Sequence, residues 1–163
     1  MIIAGIDPGT ARMGWAVIQT ESGQEVKPVS YGCITTQSNA SDELRLKSIY
    51  GELMNILATH KPQHVAIEDL FFATNAKTVI PVAQARGVVL LSAAMSGLPV
   101  YAYSPRAVKN AIAGSGTADK SQVTAMVMRI LHIDTPPKPD DTADALAIAL
   151  THAYSYKLKD KTL

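Results

Sequence analysis

The chain has 163 residues, a length typical of one domain with a full hydrophobic core. Hydrophobic residues make up 47% and charged residues 18% of the sequence, which excludes a disordered chain, and the net charge of +1 argues against a protein coated in positive charge. The single cysteine, Cys33, excludes an intramolecular disulfide and a cysteine-based zinc site. Since the N-terminal residues also lack the basic segment of a signal peptide, we expect a cytoplasmic protein.

Three antiparallel strands are predicted at the start of the chain. Residues 2–7 form an apolar run that ends in Asp7, and Pro8 and Gly9 then force a turn. Residues 14–20 and 26–36 are two further β-rich runs, separated by a short polar segment typical of a hairpin.

After residue 40 the sequence predicts helices that alternate with short strands. A helix beginning at Ser41 ends before Pro62, and strands follow over residues 64–68 and 100–103. Further helices are predicted at about 78–96, 105–113, 123–131 and 141–156. Pro81 is compatible with its helix only in the first turn. The expected fold is α/β, a mixed sheet flanked by helices, in a single domain over residues 1–156 with a polar tail over 157–163.

Residues 87–105 form a long uncharged stretch that must be distinguished from a membrane span. The stretch contains Ser92, Ser96, Gly97 and Pro99. We interpret it as a helix end, a turn and a short strand.

Four acidic residues stand where a fold rarely places an isolated charge. Asp7 and Glu68 each end an apolar strand, and Asp141 and Asp144 share one face at the start of the last helix. Each taken alone has an ordinary structural explanation, as a turn residue, an ion-pair partner or a helix cap. However, the alanine-rich last helix should pack tightly on the sheet, which would bring the four carboxylates together.

Four like charges repel one another unless cations bridge them, so the cluster suggests a divalent metal site. Oxygen ligands favour Mg²⁺ or Mn²⁺ over zinc. His60 and His64 are interpreted as surface residues, because Pro62 separates them. A carboxylate-rich site with two metals suits phosphodiester hydrolysis, in which one ion activates water and the other stabilises the leaving oxygen.

Five short motifs in this order resemble those of RuvC-type Holliday-junction resolvases. They cover about residues 1–155 and are Gly5-Ile6-Asp7-Pro8-Gly9-Thr10, Ala66-Ile67-Glu68, Gln84-Ala85-Arg86-Gly87, Lys120-Ser121-Gln122-Val123 and Asp141-Thr142-Ala143-Asp144-Ala145-Leu146-Ala147. Each motif alone is weak evidence, but all five at compatible spacing are specific.

This resemblance implies a ribonuclease H-like fold with a five-stranded sheet, and a homodimer that nicks four-way DNA junctions symmetrically with two Mg²⁺ per site, which Mn²⁺ can replace. It places the family's four metal-binding acids on Asp7, Glu68, Asp141 and Asp144, and does not extend to Asp140. It also implies a branch-migration motor as a partner. The family's catalytic or phosphate-contacting lysines correspond to Lys109 and Lys120, and Lys120 is predicted to be catalytic.

The charge pattern independently supports binding to phosphate. Residues 76–131 contain six basic residues and one acid, Asp119, a local charge of +5. Within this segment the expected DNA contacts are Lys77, Arg86, Lys109 and Lys120. The aromatic residue with which the family probes the junction corresponds to Phe71, with Phe72 beside it, and such a pair could wedge between bases. The alternative is that both rings anchor a loop on the core.

Two other functions stay open on the sequence, and a third, nucleotide binding, is disfavoured by its motif. Residues 114–121 nearly match a phosphate-binding loop, but Asp119 replaces its second glycine and the segment follows a helix. The related YqgF-type nucleases, which act on ribosomal RNA precursors, share the first strand motif. A junction-binding module without catalysis is the other open alternative, which the presence of all four acids disfavours.

Overall fold

The computed structural model describes residues 1–21, 25–69 and 76–159, and for residues 76–78 and 157–159 it describes the backbone alone. The described strands form one mixed sheet in the order β3-β2-β1-β4-β5. Their bounds are β1 Ile2–Asp7, β2 Arg12–Glu21, β3 Glu25–Thr35, β4 His64–Glu68 and β5 Val100–Tyr103. The first three strands are antiparallel, whereas β4 runs parallel to β1 and β5 parallel to β4. The predicted five-stranded mixed sheet is confirmed.

Helices cover both faces of the sheet. Their bounds are α1 Asp42–His60, α2 Ala76–Met95, α3 Pro105–Ala113, α4 Lys120–Leu131 and α5 Asp140–Lys159. One core cluster joins α3, α4 and α5 to one face through residues such as Ile3 and Ala66. The other joins α1 and α2 to the opposite face through residues such as Ala4 and Ile67. Successive residues of a strand thus face different helix layers, as strand pleating requires.

Local signals define the ends of the shorter helices. Ser104 caps α3 by accepting a hydrogen bond from the Ala107 amide, with Pro105 at the first helical position. Gly114 ends α3 in the left-handed conformation, at φ 73°. Asp119 and Gln122 form a capping box at the start of α4. The helix starts predicted at Ser104 and Ser41 therefore agree with the structure.

Three helices differ from their predicted bounds. The α4 helix begins at Lys120, before the apolar residues from which it was predicted. The α2 helix begins at Ala76, so Pro81 lies in its second turn and cannot donate the backbone hydrogen bond expected there. The α5 helix begins at Asp140 and continues to Lys159, so part of the predicted polar tail is helical backbone. The α2 helix thus continues through a proline that local preference would place in the first turn, whereas the added residues at the end of α5 are good helix formers.

A cluster of histidine and tyrosine rings lies between strands β4 and β5 and the second half of α5. His152 of α5 is fully buried, and its Nε2 lies 2.9 Å from His64 Nδ1 while its Nδ1 lies 2.7 Å from the Tyr103 hydroxyl. The ring of Tyr156 packs against His64 at a centroid distance of 4.6 Å. His64 is half-buried among these groups, so its interpretation as a surface residue was wrong.

No helix in the described part of the chain is long and apolar enough to cross a membrane. The uncharged stretch from residue 87 comprises the end of α2, a turn and β5, as predicted.

Candidate functional site

Asp7 and Glu68 lie side by side at one edge of the sheet. Asp7 ends β1 and Glu68 ends β4, and the parallel register pairs the residues just before them, Ile6 and Ile67. Because alternate residues share a face, Asp7 projects on the same side as Ile3, and Glu68 on the same side as Ala66. That is the side covered by α3, α4 and α5. The sheet therefore directs both carboxylates toward the start of α5.

Two glycines let α5 come close enough to complete the cluster. A Cβ atom at Gly14, which pairs with Asp7 across β1 and β2, would overlap the backbone carbonyl oxygen of Asp141. A Cβ atom at Gly5 would overlap the carbonyl oxygen of Ala145. The backbone of α5 therefore rests directly on the sheet. This close packing brings Asp141 and Asp144, one helical turn apart, next to the strand-end acids.

Two cations partly neutralise this acid cluster of Asp7, Glu68, Asp141 and Asp144. Lys120 Nζ lies 2.8 Å from Asp144 Oδ2 and 3.7 Å from the exposed carboxylate of Asp140. Arg12 Nε lies 3.1 Å from Asp141 Oδ2. The Nε–H of Arg12 does not point at Asp141 Oδ2. This buried oxygen accepts no hydrogen bond from the described residues. The arginine thus contributes charge and leaves a buried acceptor available.

The electrostatic state of the cluster follows from burial and crowding. Burial, together with the charges of Glu68, Asp144 and Asp141, raises the pKa of Asp7 to about 8. Burial and the charge of Asp144 also raise the pKa of Glu68. Burial alone would lower the pKa of Lys120, but its hydrogen bond to Asp144 and the surrounding carboxylates outweigh this effect and raise it. In the metal-free protein Asp7 therefore keeps a proton at neutral pH.

The donor chemistry of the cluster fits a hard divalent cation. Four carboxylates meet at one place, and Asp141 offers a buried oxygen that accepts no hydrogen bond from the described residues. A bound cation would favour the ionised form of Asp7, against the burial and the neighbouring charges that raise its pKa. As the side chains lie, no three histidine, cysteine, aspartate or glutamate residues of the described ranges form a ready ligand set. Metal binding therefore requires these side chains to rotate toward one another, and Asp144 could bind through Oδ1 while Oδ2 stays with Lys120.

A cavity of about 270 Å³ opens beside the acid cluster between α3, α4 and α5. Glu68 and Asp144 line it together with Lys109 and Lys120, which are the two lysines predicted to act on phosphate. Its remaining lining is mostly apolar and comes from Pro105, Val108, Val123, Ala147 and Ile148. The cavity therefore combines two carboxylates and two lysines over an apolar floor.

The structure describes the remaining predicted DNA contacts to different extents. Phe71 and Phe72 lie outside the described residues, and Lys77 is placed only as backbone in the first turn of α2. Asp69 directly follows Glu68, and its Oδ1 lies 3.5 Å from Arg86 Nη2. The Nε of Arg86 is buried and donates no hydrogen bond to the described residues. Arg86 is therefore close to the acid cluster but already has an acidic neighbour.

Sequence reasoning missed Arg12 as a neighbour of the site. The signal was available in the strand pairing: a tight turn after Asp7 places Gly14 opposite it and brings Arg12 to the same edge. Asp69 was missed because nothing in the sequence indicates which basic residue it faces.

Comparison with known proteins gives consistent results. The family model described as crossover junction endodeoxyribonuclease RuvC matches residues 3–152. A protein of that name from Desulfitobacterium hafniense is 50% identical over 161 residues, covering 99% of this chain and 97% of the relative. One from Syntrophomonas wolfei is 49% identical over 158 residues, covering 97% and 91%.

Solved structures agree with this sequence relationship. The structure of Thermus thermophilus RuvC in complex with a Holliday junction substrate matches with a TM-score of 0.88 and 35% identity, over 97% of this chain and 96% of that one. A second structure of Thermus thermophilus RuvC matches with a TM-score of 0.89 and 36% identity, over 98% and 97% of the two chains. The mixed sheet and its helix layers therefore form the ribonuclease H-like fold expected from the sequence.

Proposed function

The chain belongs to the RuvC family of crossover junction endodeoxyribonucleases, and from this we propose that it resolves four-way DNA junctions by paired symmetric nicks during recombination and repair. One observation carries the proposal: acids from β1, β4 and α5 meet at the edge of the sheet in a family member that keeps all four. We infer that it acts on DNA in the cytoplasm, on junctions presented by a branch-migration motor.

We propose that Asp7, Glu68, Asp141 and Asp144 hold two Mg²⁺ ions, which Mn²⁺ can replace. When bound, these ions would supply an activated water molecule and stabilise the leaving oxygen. The acids themselves contribute fixed positions, since the pairing of β1 with β4 and the close approach of α5 to Gly14 hold their backbones. The raised pKa of Asp7 means that its proton must leave before it can act as a ligand.

Lys120 and Lys109 are proposed to stabilise the negative charge that develops on the scissile phosphate. Lys120 lies against Asp144 on one side of the cavity, and Lys109 lines the same cavity from α3. A cation fixed beside the reacting phosphate lowers the energy of the transition state more than that of the substrate. We also propose that Phe71 and Phe72 probe the junction centre and that Lys77 and Arg86 contact the DNA backbone.

A homodimer is proposed because paired cuts need two acid clusters and the described residues form one. The α2 helix presents an uncharged exposed stripe at helical spacing, made of Ile80, Gln84, Gly87, Leu91 and Met95. The apolar members Ile80, Leu91 and Met95 have exposed fractions of 66%, 54% and 62%. A stripe of this kind, narrow, mostly apolar and free of charge, suits packing against a second copy.

The decisive experiment compares Asp7→Asn with wild type on four-way DNA junctions in Mg²⁺. We expect the variant to lose cleavage while it still binds junctions, because asparagine removes a charged ligand without changing the size of the side chain. The matched control is Asp140→Asn, an exposed acid outside the proposed ligand set, which should still cleave. Retained cleavage by Asp7→Asn would contradict the metal-site assignment.

The same assay separates the two alternative functions. Wild-type protein should prefer four-way DNA junctions to duplex DNA and to structured RNA. A preference for structured RNA would instead support a YqgF-type activity. Binding of junctions without any nicking by wild type in Mg²⁺ or Mn²⁺ would support an inactive binding module.

A further inference from the structure

A second groove opens on the other side of the acid cluster from Lys109 and Lys120. It has a volume of about 370 Å³ and is lined by the turn after β1, by α1 and α2, and by Asp141. Two arginines, Arg12 and Arg45, lie along it. The groove thus begins at a proposed metal ligand and continues past two cations that the proposed function does not use.

Arg45 is held in place by a neutral partner. Its Nε donates to the Thr36 hydroxyl at 2.8 Å, and that hydroxyl in turn donates to the backbone carbonyl of Thr10 at 2.6 Å. The Thr36 amide also donates to the Ala11 carbonyl, so the same residue fixes the turn that lines the groove. The guanidinium is therefore oriented through one nitrogen, and its two terminal amino groups donate to no other described residue, so they can bind another partner.

The charge of Arg45 is not compensated locally. Within the described ranges, no carboxylate lies within ion-pair distance of it, whereas Arg12 pairs with Asp141 and Arg86 with Asp69. A partly buried, oriented arginine without an acid is typical of a binding site for an anion. Arg12 is 56% exposed at its side chain, and an ion pair so exposed is weak enough to exchange for another anion.

We propose that this groove binds a non-scissile phosphate of the junction strand, with Arg45 as the contact and Thr36 as the residue that positions it. The inference rests on the proposed function, since it assumes that the scissile phosphate lies at the acid cluster. A strand placed there continues in two directions. One leads toward Lys109 and Lys120, and the other leads past Asp141 into the groove of Arg12 and Arg45.

The test is the salt dependence of junction binding, measured without divalent cations so that no cleavage occurs. In Arg45→Gln we expect the slope of log Kd against log salt to fall by about 0.9 for each phosphate that the variant no longer neutralises. We expect affinity to fall about tenfold at low salt. Lys47→Gln is the matched control, because it removes one exposed cation from the same helix, and it should leave both slope and affinity unchanged.

Thr36→Val tests the positioning step, because it keeps the charge of Arg45 and removes the hydroxyl that orients it. We expect weaker junction binding with a slope close to that of wild type. Arg45→Lys should behave in the same way, since lysine keeps the charge but not the planar fork. This second variant also serves if Arg45→Gln does not fold.

The outcomes separate this proposal from the proposed function. If wild type cleaves junctions and Arg45→Gln binds them with unchanged slope and affinity, the phosphate groove is wrong and the nuclease assignment stands. A lower melting temperature of Arg45→Gln with an unchanged slope would overturn it as well, because Arg45 would then only support the fold. If wild type neither binds nor cleaves junctions, the proposed function itself fails.

Discussion

At the scale of single residues, Asp7 is the most perturbed group of the acid cluster. Its carboxyl titrates at 3.8 as a free group and at about 8 in the fold, chiefly because of burial. The folded protein therefore holds this proton more tightly than the unfolded chain does. The stability that the proton provides is complete below about pH 3.8 and is lost as the pH rises to about 8.

This loss of stability with rising pH leads to a prediction for the metal-free protein. Asparagine has no proton to lose, so the melting temperature of Asp7→Asn should rise relative to wild type as the pH increases from about 4 to about 8. Thermal unfolding in a chelator at several pH values measures the difference. Added Mg²⁺ should reduce or reverse it, because only wild type gains a full ligand set. A difference independent of pH would show that Asp7 is ionised throughout.

Single residues also show where sequence reasoning ends. Asp7 and Glu68 were predictable, since an apolar run that ends in a carboxylate specifies a charged strand end. His152 was not, because its burial depends on His64 and Tyr103, which are distant in sequence and reach it only through the fold. Arg45 was missed for the same reason: its sequence neighbours do not reveal that Thr36 and the turn after β1 lie beside it.

At the scale of secondary-structure elements, the packing of α5 on the sheet determines the geometry of the site. The sequence predicted the tight packing from the alanines of α5, and strands β1, β4 and β5 from their apolar runs. It did not predict the part played by Gly14, because a glycine within a β-rich run has many explanations. The start of α2 was also mispredicted, since tertiary packing can carry a helix past a proline that local preference would exclude.

Gly14→Ala tests whether this packing positions the acids. The added Cβ would overlap the Asp141 carbonyl oxygen, so the start of α5 must move away from Asp7. A displacement of about 1 Å can cost about 100-fold in rate, and we expect at least such a loss of cleavage together with a lower melting temperature. Single-turnover cleavage by folded protein is the measurement.

Gly51→Ala is the control for that experiment. A Cβ at Gly51, in the middle of α1, meets no atom within 4 Å, so the substitution should stabilise the helix by about 0.5 to 1 kcal/mol and leave cleavage unchanged. Full activity of Gly14→Ala would show that the approach of α5 does not determine the positions of Asp141 and Asp144.

At the scale of the whole molecule, the net charge of +1 conceals a separation of charge. Residues 76–131 carry six basic residues against one acid, whereas four acids meet at the edge of the sheet. Bound cations would neutralise those acids and leave a surface that attracts DNA. Added salt reduces the free energy gained when counterions leave the DNA on binding, so junction affinity should fall steadily with ionic strength.

The last prediction concerns the proposed homodimer. Leu91→Glu places a charge in the middle of the exposed uncharged stripe of α2, where burial against a partner would leave it without a counter-ion. We expect this variant to be monomeric by sedimentation and to accumulate junctions nicked on one strand, because each protomer keeps its own acid cluster. Val29→Glu is the control, since Val29 is similarly exposed, at 48%, but lies on the opposite edge strand β3. The Val29→Glu variant should be dimeric and cut both strands. A Leu91→Glu variant that is still dimeric would show that the interface lies elsewhere.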